Sequence, residues 1–440
     1  MATETPGESA WAAAGGRIGP RDLASARVLL DRAAALTTPG ADPLAVVAVL
    51  RREFPETEPA LVGEAATQAR LRARAAPRLG PRAEHLVLSD AGLQQTSRWA
   101  VAAYRAGELH RRLQALGTAA SPLVADLGCG LGIDALALAE AGFRVRGVER
   151  DPWTAEAAAV NCAGQSGVAI VEGDAIDANL SDCAAAFCDP ARRDPGSPLA
   201  THGRGRSARV IDPARWSPPW PWVVQVSRVL PMVAKAAPGL RESAVPRDAE
   251  REWIEVDGEL VECCVWFAPL GDPGVRRATV LIGGTAFTLG SAEPDGVAGA
   301  AATADAYLLE PAAAVRRAML VGALADSLRA SGNPVGRIGD WLTGSRDPET
   351  AWVRAWQVEE ALPRGSRALR DALRGFGPIT WKTDAIRESA EAVDRRVGHR
   401  PASGGRSATV VMLDDGSAWL ARRAPHVARR DGNEVGERFP

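Results

Sequence analysis

Ala125-Asp-Leu-Gly-Cys-Gly-Leu-Gly-Ile-Asp134 is the stretch on which the fold turns. Leu123-Val-Ala before it reads as a buried strand, and Ala135-Leu-Ala-Leu-Ala-Glu-Ala after it as a helix. A Gly-x-Gly-x-Gly turn therefore joins a strand end to a helix N-terminus. Gly128, Gly130 and Gly132 permit tight backbone geometry and leave no side chain between backbone and ligand. A dinucleotide fingerprint needs Gly or Ala at position 133 to receive a pyrophosphate, and Ile133 stands there. Asp126, two residues before the first glycine, suits a ligand with a cationic or amine end.

Outward from this turn, strand and helix alternate. Strands read at 123–127, 144–149, 168–173 and 184–188, helices at 132–141 and 152–164, and a further strand at 232–236. Such alternation specifies a parallel sheet covered by helices on both faces. Glu149 ends the second strand about twenty residues after the glycines, where a carboxylate accepts from ribose hydroxyls; Asp151-Pro152 reads as a helix cap with proline at the first helical position. Asp174 ends the third strand, where it can accept from an adenine amino group while the Ala175 amide serves the ring. Cys129 lies inside the glycine turn. The fourth strand ends in Phe187-Cys-Asp-Pro-Ala-Arg-Arg193. Asp189 is the candidate general base there, Pro190 stiffens its loop, and Arg192 and Arg193 either hold a substrate phosphate by bidentate bonds or pair with surface acids.

The flanking regions differ in texture. The first 20 residues are Gly-, Ala-, Ser- and Thr-rich and read as a disordered lead-in. Residues 21–115 have helical periodicity cut by prolines at 43, 55, 59, 77 and 81, with one helix expected from Gly92 into the glycine strand. An Asp257-Gly258 turn between Glu252-Trp-Ile-Glu-Val and Glu259-Leu-Val-Glu-Cys-Cys-Val-Trp-Phe signals a hairpin, followed by a strand from Arg277. The expected organisation is a ligand-binding domain over 116–285, a linker over 286–303 and an α+β module over 304–430. In that module a helix is expected at 311–330, another near 364–374, a strand at 378–383, a helix at 388–397, and two strands around Asp414-Asp-Gly-Ser417.

Composition narrows the class. At 440 residues with 46% hydrophobic content the chain has the profile of a soluble globular protein of two or three domains. No apolar run reaches membrane-spanning length and the N-terminus lacks secretory order. The six cysteines show no Cys-x-x-Cys spacing, which fits reduced thiols in a cytoplasmic protein. The five histidines are scattered and imply no metal site. Only Lys235 and Lys382 are lysines among 52 basic residues, so each carries chemistry that the arginines do not. Between Arg364 and Arg430 there are fourteen basic and seven acidic residues, a local excess of seven positive charges.

The glycine stretch resembles motif I of the class I S-adenosylmethionine-dependent methyltransferases. From about residue 88 to 425 the chain resembles a bacterial family of these enzymes that carries a C-terminal THUMP-like domain. The matching motifs are Asp126–Asp134, Asp189-Pro-Ala-Arg-Arg193, Lys235-Ala-Ala-Pro-Gly239, Ala249–Gly258, Glu310-Pro311 and Trp381-Lys382. The resemblance implies a Rossmann-like α/β sheet, an N-terminal helical region and the α+β module. It also implies S-adenosylmethionine as cofactor, held by Asp126, Gly128, Cys129, Gly130, Gly132, Glu149, Asp174 and Ala175. THUMP domains bind RNA in RNA-modifying enzymes, so it further implies an RNA substrate, tRNA or rRNA, with Lys235, Lys382, Arg192 and Arg193 as substrate contacts. Amino-methylating nucleic-acid enzymes carry an aromatic residue after the Asp-Pro-Pro of this loop, where Ala191 and Arg192 stand in this chain. Asp-Pro-Pro-Arg-type loops occur in some carbon-methylating RNA enzymes, which need a catalytic cysteine, and Cys188, inside a strand, reads as a core residue. Two alternatives stand beside RNA methylation: a methyltransferase for a small molecule or protein, and a non-catalytic nucleic-acid-binding protein that keeps the cofactor fold.

Overall fold

The computed structural model describes residues 18–192, 210–293, 295, 303–383, 388–425 and the backbone of 437–438. The chain folds as two units, one built from residues up to Ala249 and from Cys264–Asp272, the other from Glu250–Cys263 and from Pro273 onward.

The first unit begins with helices α1 (Pro20–Ser25), α2 (Arg27–Leu36), α3 (Pro43–Glu53), α4 (Pro59–Leu79), α5 (Asp90–Gln95) and α6 (Trp99–Ala115). Prolines 20, 43 and 59 open helices, where their missing N–H costs nothing. Leu29, Leu30, Ala33, Val46, Leu50, Val62, Ala65 and Ala69 form their shared core. Pro77 does not cut α4, which continues to Leu79. The single helix expected from Gly92 is instead two, broken at Thr96–Arg98. Arg78 on α4 donates to the Leu93 and Thr96 carbonyls, taking acceptors that a continuing helix would use. The break turns Ser97 into the interior.

Next come β1 (Leu123–Leu127), α7 (Ile133–Glu140), β2 (Arg144–Glu149), α8 (Pro152–Cys162), β3 (Val168–Glu172), β4 (Ala185–Cys188), α9 (Trp220–Val226) and β5 (Met232–Ala236). The order in space is β3-β2-β1-β4-β5, all parallel. The chain leaves β1 toward β2 and β3, then returns to lay β4 on its other side. That reversal opens a crevice outside the carboxyl ends of β1 and β4, where open α/β sheets take ligands. Ala125, Leu127, Ala186, Cys188, Met232 and Ala234 fill the sheet's core with Trp216, Trp220 and Val223.

The second unit holds β6 (Glu250–Val256), the start of β7 (Glu259–Trp266), β8 (Arg276–Ile282) and β9 (Thr285–Ser291). Asp257 and Gly258 have φ of 50° and 85°, the left-handed pair that a two-residue hairpin requires. β8 lies parallel to β6 and antiparallel to β9. Residues 285–291, expected at the domain edge and in a linker, are thus a sheet strand.

A second, seven-stranded sheet follows. Its strands are β10 (Tyr307–Pro311), β11 (Val335–Ile338), β12 (Trp341–Gly344), β13 (Val353–Leu362), β14 (Ile379–Thr383), β15 (Ala408–Met412) and β16 (Ala418–Arg423), in the order β11-β12-β10-β13-β16-β15-β14. The helix expected over 311–330 is two, α10 (Ala313–Ala318) and α11 (Val321–Ala330), separated at Met319 with φ 58°. Asp295 explains the restart: its carboxylate accepts from the Val321 and Gly322 amides, satisfying the first N–H groups of α11. Helices α12 (Ser366–Ala372) and α13 (Ala390–Val397) cover Trp381, Val410 and Leu420. A two-residue strand, β17 (Glu437–Arg438), pairs with β9. Among the described residues, no helix is long and apolar enough to cross a membrane.

Candidate active site

The acids at the first three strand ends have different environments. Asp126 on β1 is wholly buried, and neither carboxylate oxygen has a hydrogen-bond partner among the described residues. Burial pushes its pKa well up, Asp134 and Asp189 add to this, and Arg105 opposes it. A buried polar group without a partner costs about 1–3 kcal/mol, so the site carries a standing demand for a hydrogen-bond donor. Glu149 on β2 accepts from the Gly130 amide at 3.1 Å and the Asp151 amide at 3.0 Å, tying the glycine turn to the second strand. Asp151 caps α8 through the Thr154 amide. Asp174 accepts from Ile176 in a short turn after β3, and Ala175 is buried beside it.

The glycine turn is shaped by close approach. Gly128, Gly130 and Gly132 have φ of 81°, 54° and 82°. A Cβ at Gly128 would lie 3.1 Å from the Asp189 carbonyl oxygen, and one at Gly132 would lie 2.9 Å from Cys162 Sγ. The space around Gly130 is open. Cys129 turns its side chain inward against Gly147, and its N–H and carbonyl are engaged by Val148 and Gly132. Its thiol is not available to a ligand, and burial drives its pKa well up.

Asp189 follows β4 directly, its amide donating to Leu127 at 3.2 Å. Its carboxylate meets Lys235 Nζ from β5 at 2.9 Å, an ion pair in which Lys235 is 9% and Asp189 22% exposed. Lys235 also donates to Ser97 Oγ at 3.3 Å; Ser97 donates to Asp134, which pairs with Arg105. The Arg105 guanidinium lies 4.3 Å over the Phe187 ring. Two carboxylates, a lysine, a serine and an arginine thus form one continuous polar chain beside the crevice. Ser97, Arg105 and Asp134 have no role assigned from sequence. Asp134 closes the decisive stretch, but nothing local marks its partners, which come from α6 and the turn before it.

Beyond Pro190, Ala191 bridges antiparallel to Ser217, and the Arg192 carbonyl accepts from Val210. Arg192 is half-buried; Arg193 lies outside the described residues. An open groove of about 440 Å³ follows, lined by Pro213, Trp220, Pro221, Val224 and the exposed Arg228 and Arg241. Cys188 is fully buried, and burial first, then Asp189 and Asp126, holds its thiol well above the ordinary value. It is a core residue.

Lys382 sits in the second unit, where Glu310 takes its ammonium at 3.2 Å and the Trp356 ring lies 5.2 Å below. Glu310 also accepts from Trp356 Nε1 at 3.0 Å. The Glu310-Pro311 and Trp381-Lys382 motifs therefore meet each other. Among the described residues, no group of three or more His, Cys, Asp or Glu is placed to hold a metal.

No protein-family model and no curated protein matches the chain. Among the solved structures that resemble it are two putative methyltransferases. One, from Porphyromonas gingivalis W83, is 18% identical over 93% of this chain and 100% of its own, with a TM-score of 0.63. The other, of class I and S-adenosylmethionine-dependent, from Listeria monocytogenes, is 11% identical over 56% of this chain and 86% of its own, at 0.33. An RNA methyltransferase from Salinibacter ruber in complex with S-adenosyl-L-homocysteine is 16% identical over 36% and 88%, at 0.24. Only the first likeness bears on architecture. It is one of fold: a mixed α/β chain with a Rossmann-like sheet and a second, C-terminal sheet.

Proposed function

We propose that this protein is an S-adenosylmethionine-dependent methyltransferase acting on RNA, tRNA or rRNA. The observation that carries the first half is Asp126: a buried carboxylate with no partner among the described residues, at the crevice where the strand order reverses. The residues present fit the cofactor. Asp126 accepts from its amine end, Glu149 from the ribose hydroxyls, Asp174 and the Ala175 amide serve the adenine, and Gly130 leaves room for close approach. When bound, S-adenosylmethionine supplies an electrophilic methyl group on a sulfonium. The protein's part is to position a nucleophile and accept its proton, the role assigned to Asp189 with Pro190 shaping its loop.

RNA is supported by exposed positive charge and by the THUMP-like reading of the module. In that module Arg364, Arg374, Arg396, Arg406 and Arg422 are engaged by nearby acids. Arg367, Arg370, Arg395 and Arg400 are exposed at the α12–α13 pair, which an Arg396–Ser366 hydrogen bond holds together. Arg228 and Arg241 line an open groove beside Trp220, and Arg192 stands three residues after Asp189. A second reading, a protein or small-molecule substrate, is favoured by the pairing of Lys382 with Glu310, which removes one expected phosphate contact. Calorimetry with S-adenosylmethionine on wild type and Asp126→Asn tests the cofactor; equal affinity rejects this site. Transfer of a labelled methyl group to RNA, protein and metabolite fractions tests the acceptor.

A further inference from the structure

We propose that the methyl acceptor is a hydroxyl oxygen, in RNA the ribose 2′-hydroxyl, held between the Asp189 carboxylate and the Lys235 ammonium. The assignment rests on the methyltransferase reading above and follows from counting electron pairs. The two charged groups are 2.9 Å apart, Lys235 nearly enclosed and Asp189 open on one side. A hydroxyl offers one O–H and two lone pairs. It can donate to Asp189, accept from Lys235 on one lone pair, and keep the other for attack. An amino nitrogen has one lone pair only. An ammonium N–H directed at it would occupy the electrons that must attack, and otherwise would face the amine's own N–H groups. A cation beside the base therefore selects oxygen over nitrogen.

Two further observations agree. Carbon methylation through a covalent cysteine needs a thiolate, and Cys188, next to Asp189, is fully buried with its thiol held protonated. None of the three residues after Asp189, Pro190, Ala191 and Arg192, is an aromatic that could stack on a flat base. The protein already holds one hydroxyl between a carboxylate and this ammonium. Ser97 Oγ donates to Asp134 at 3.0 Å and accepts from Lys235 and from Arg105 Nη2, each at 3.3 Å. The Lys235–Ser97 contact is longer than the 2.9 Å contact of Lys235 with Asp189, and the incoming hydroxyl replaces it. In the transfer, the free lone pair of the hydroxyl forms the new C–O bond as the donor's C–S bond breaks with its electrons left on sulfur. The hydroxyl proton passes to Asp189 and then to water, while Lys235 stabilises the negative charge developing on oxygen.

The test uses the full chain with S-adenosylmethionine bearing a trideuterated methyl group and, separately, total bacterial RNA, protein and metabolites. Mass spectrometry of the digests locates the label. Label on oxygen, in RNA as an alkali-resistant 2′-O-methylated nucleotide, is the expected result; label on nitrogen or carbon in any fraction overturns the proposal. No label while S-adenosylmethionine binds calorimetrically also overturns it, whereas no binding removes the methyltransferase reading beneath it. Lys235→Met should lower transfer by about 10²–10⁴-fold with cofactor affinity unchanged. Lys235→Arg keeps the charge, and should still lose about tenfold or more because a planar guanidinium misplaces the donor. Wild-type transfer by a folded Lys235→Arg, or a parallel loss of cofactor affinity, counts against a contact with the acceptor.

Discussion

Lys235 and Lys382 are the only lysines in the chain, one in each unit, and each meets a carboxylate at about the same distance, 2.9 Å and 3.2 Å. Their surroundings set them apart. Glu310 has a second donor in Trp356 Nε1, and Arg354 lies 3.9 Å away, while Lys382 rests over the indole. The acid is satisfied several times over, and the cluster ties β10, β13 and β14 together although β14 stands at the far end of that sheet. Asp189 instead sits at a strand end on a crevice, one residue beyond a buried thiol and close to the unpartnered Asp126. The same ion pair is a brace where both carboxylate oxygens have donors, and is proposed as the reactive arrangement where a neighbouring carboxylate has none among the described residues.

The largest expected effect tests that contrast directly. Where Lys235→Met costs about two to four orders of magnitude in methyl transfer, Lys382→Met should leave the rate at saturating substrate unchanged. Equal losses in a steady-state assay would erase the distinction.

Next in size is Asp126→Asn. S-adenosylmethionine affinity should fall about 10- to 100-fold, the value of a lost charge-assisted hydrogen bond of roughly 1.5–3 kcal/mol. The cofactor-free protein should be more stable at neutral pH in a denaturant melt, because the amide has no buried carboxyl to ionise. The pH dependence fixes the sign. Asp126 titrates higher in the fold than its ordinary 3.8, so above that value the unfolded chain releases a proton that the folded chain keeps. Its contribution is fully present below the ordinary pKa and is lost as pH rises toward the folded one. Asp126→Asn should flatten that decline.

If the substrate is RNA, the second unit should contribute a smaller, salt-dependent share of its capture. Replacing Arg367, Arg370, Arg395 and Arg400 together by glutamine should reduce the slope of log affinity for single-stranded RNA against log salt by about 3. An unchanged slope in filter binding would turn the module toward the protein or small-molecule reading. Smallest is the stability cost of Lys382→Met, about 0.5–2 kcal/mol by thermal melt, since the pair is partly exposed and Glu310 keeps its indole donor.

How far the residues could be read in advance follows from the range of the interactions. β1, β2 and β5 begin and end where glycine, acid and apolar runs place them, because these signals act within a few residues. The Asp257-Gly258 hairpin is equally local. The breaks at Thr96–Arg98 and Met319 escaped such reading because their causes, Arg78 and Asp295, come from elsewhere in the chain. β11 and β12 have only four residues each and β9 mixes threonine and glycine with its apolar residues, so all three acquire strand geometry from their neighbours in the sheet.

The parallel sheet, the glycine turn and the row of acids at its strand ends were legible residue by residue, since each rests on backbone preference and spacing along a few positions. What those acids meet depends on how the chain packs in three dimensions. Asp189 and Lys235 are 46 positions apart and Glu310 and Lys382 are 72 apart, and which carboxylate takes which ammonium depends on strand order, not on neighbourhood in the chain. The isolation of Asp126 is likewise a property of burial, which no residue carries alone.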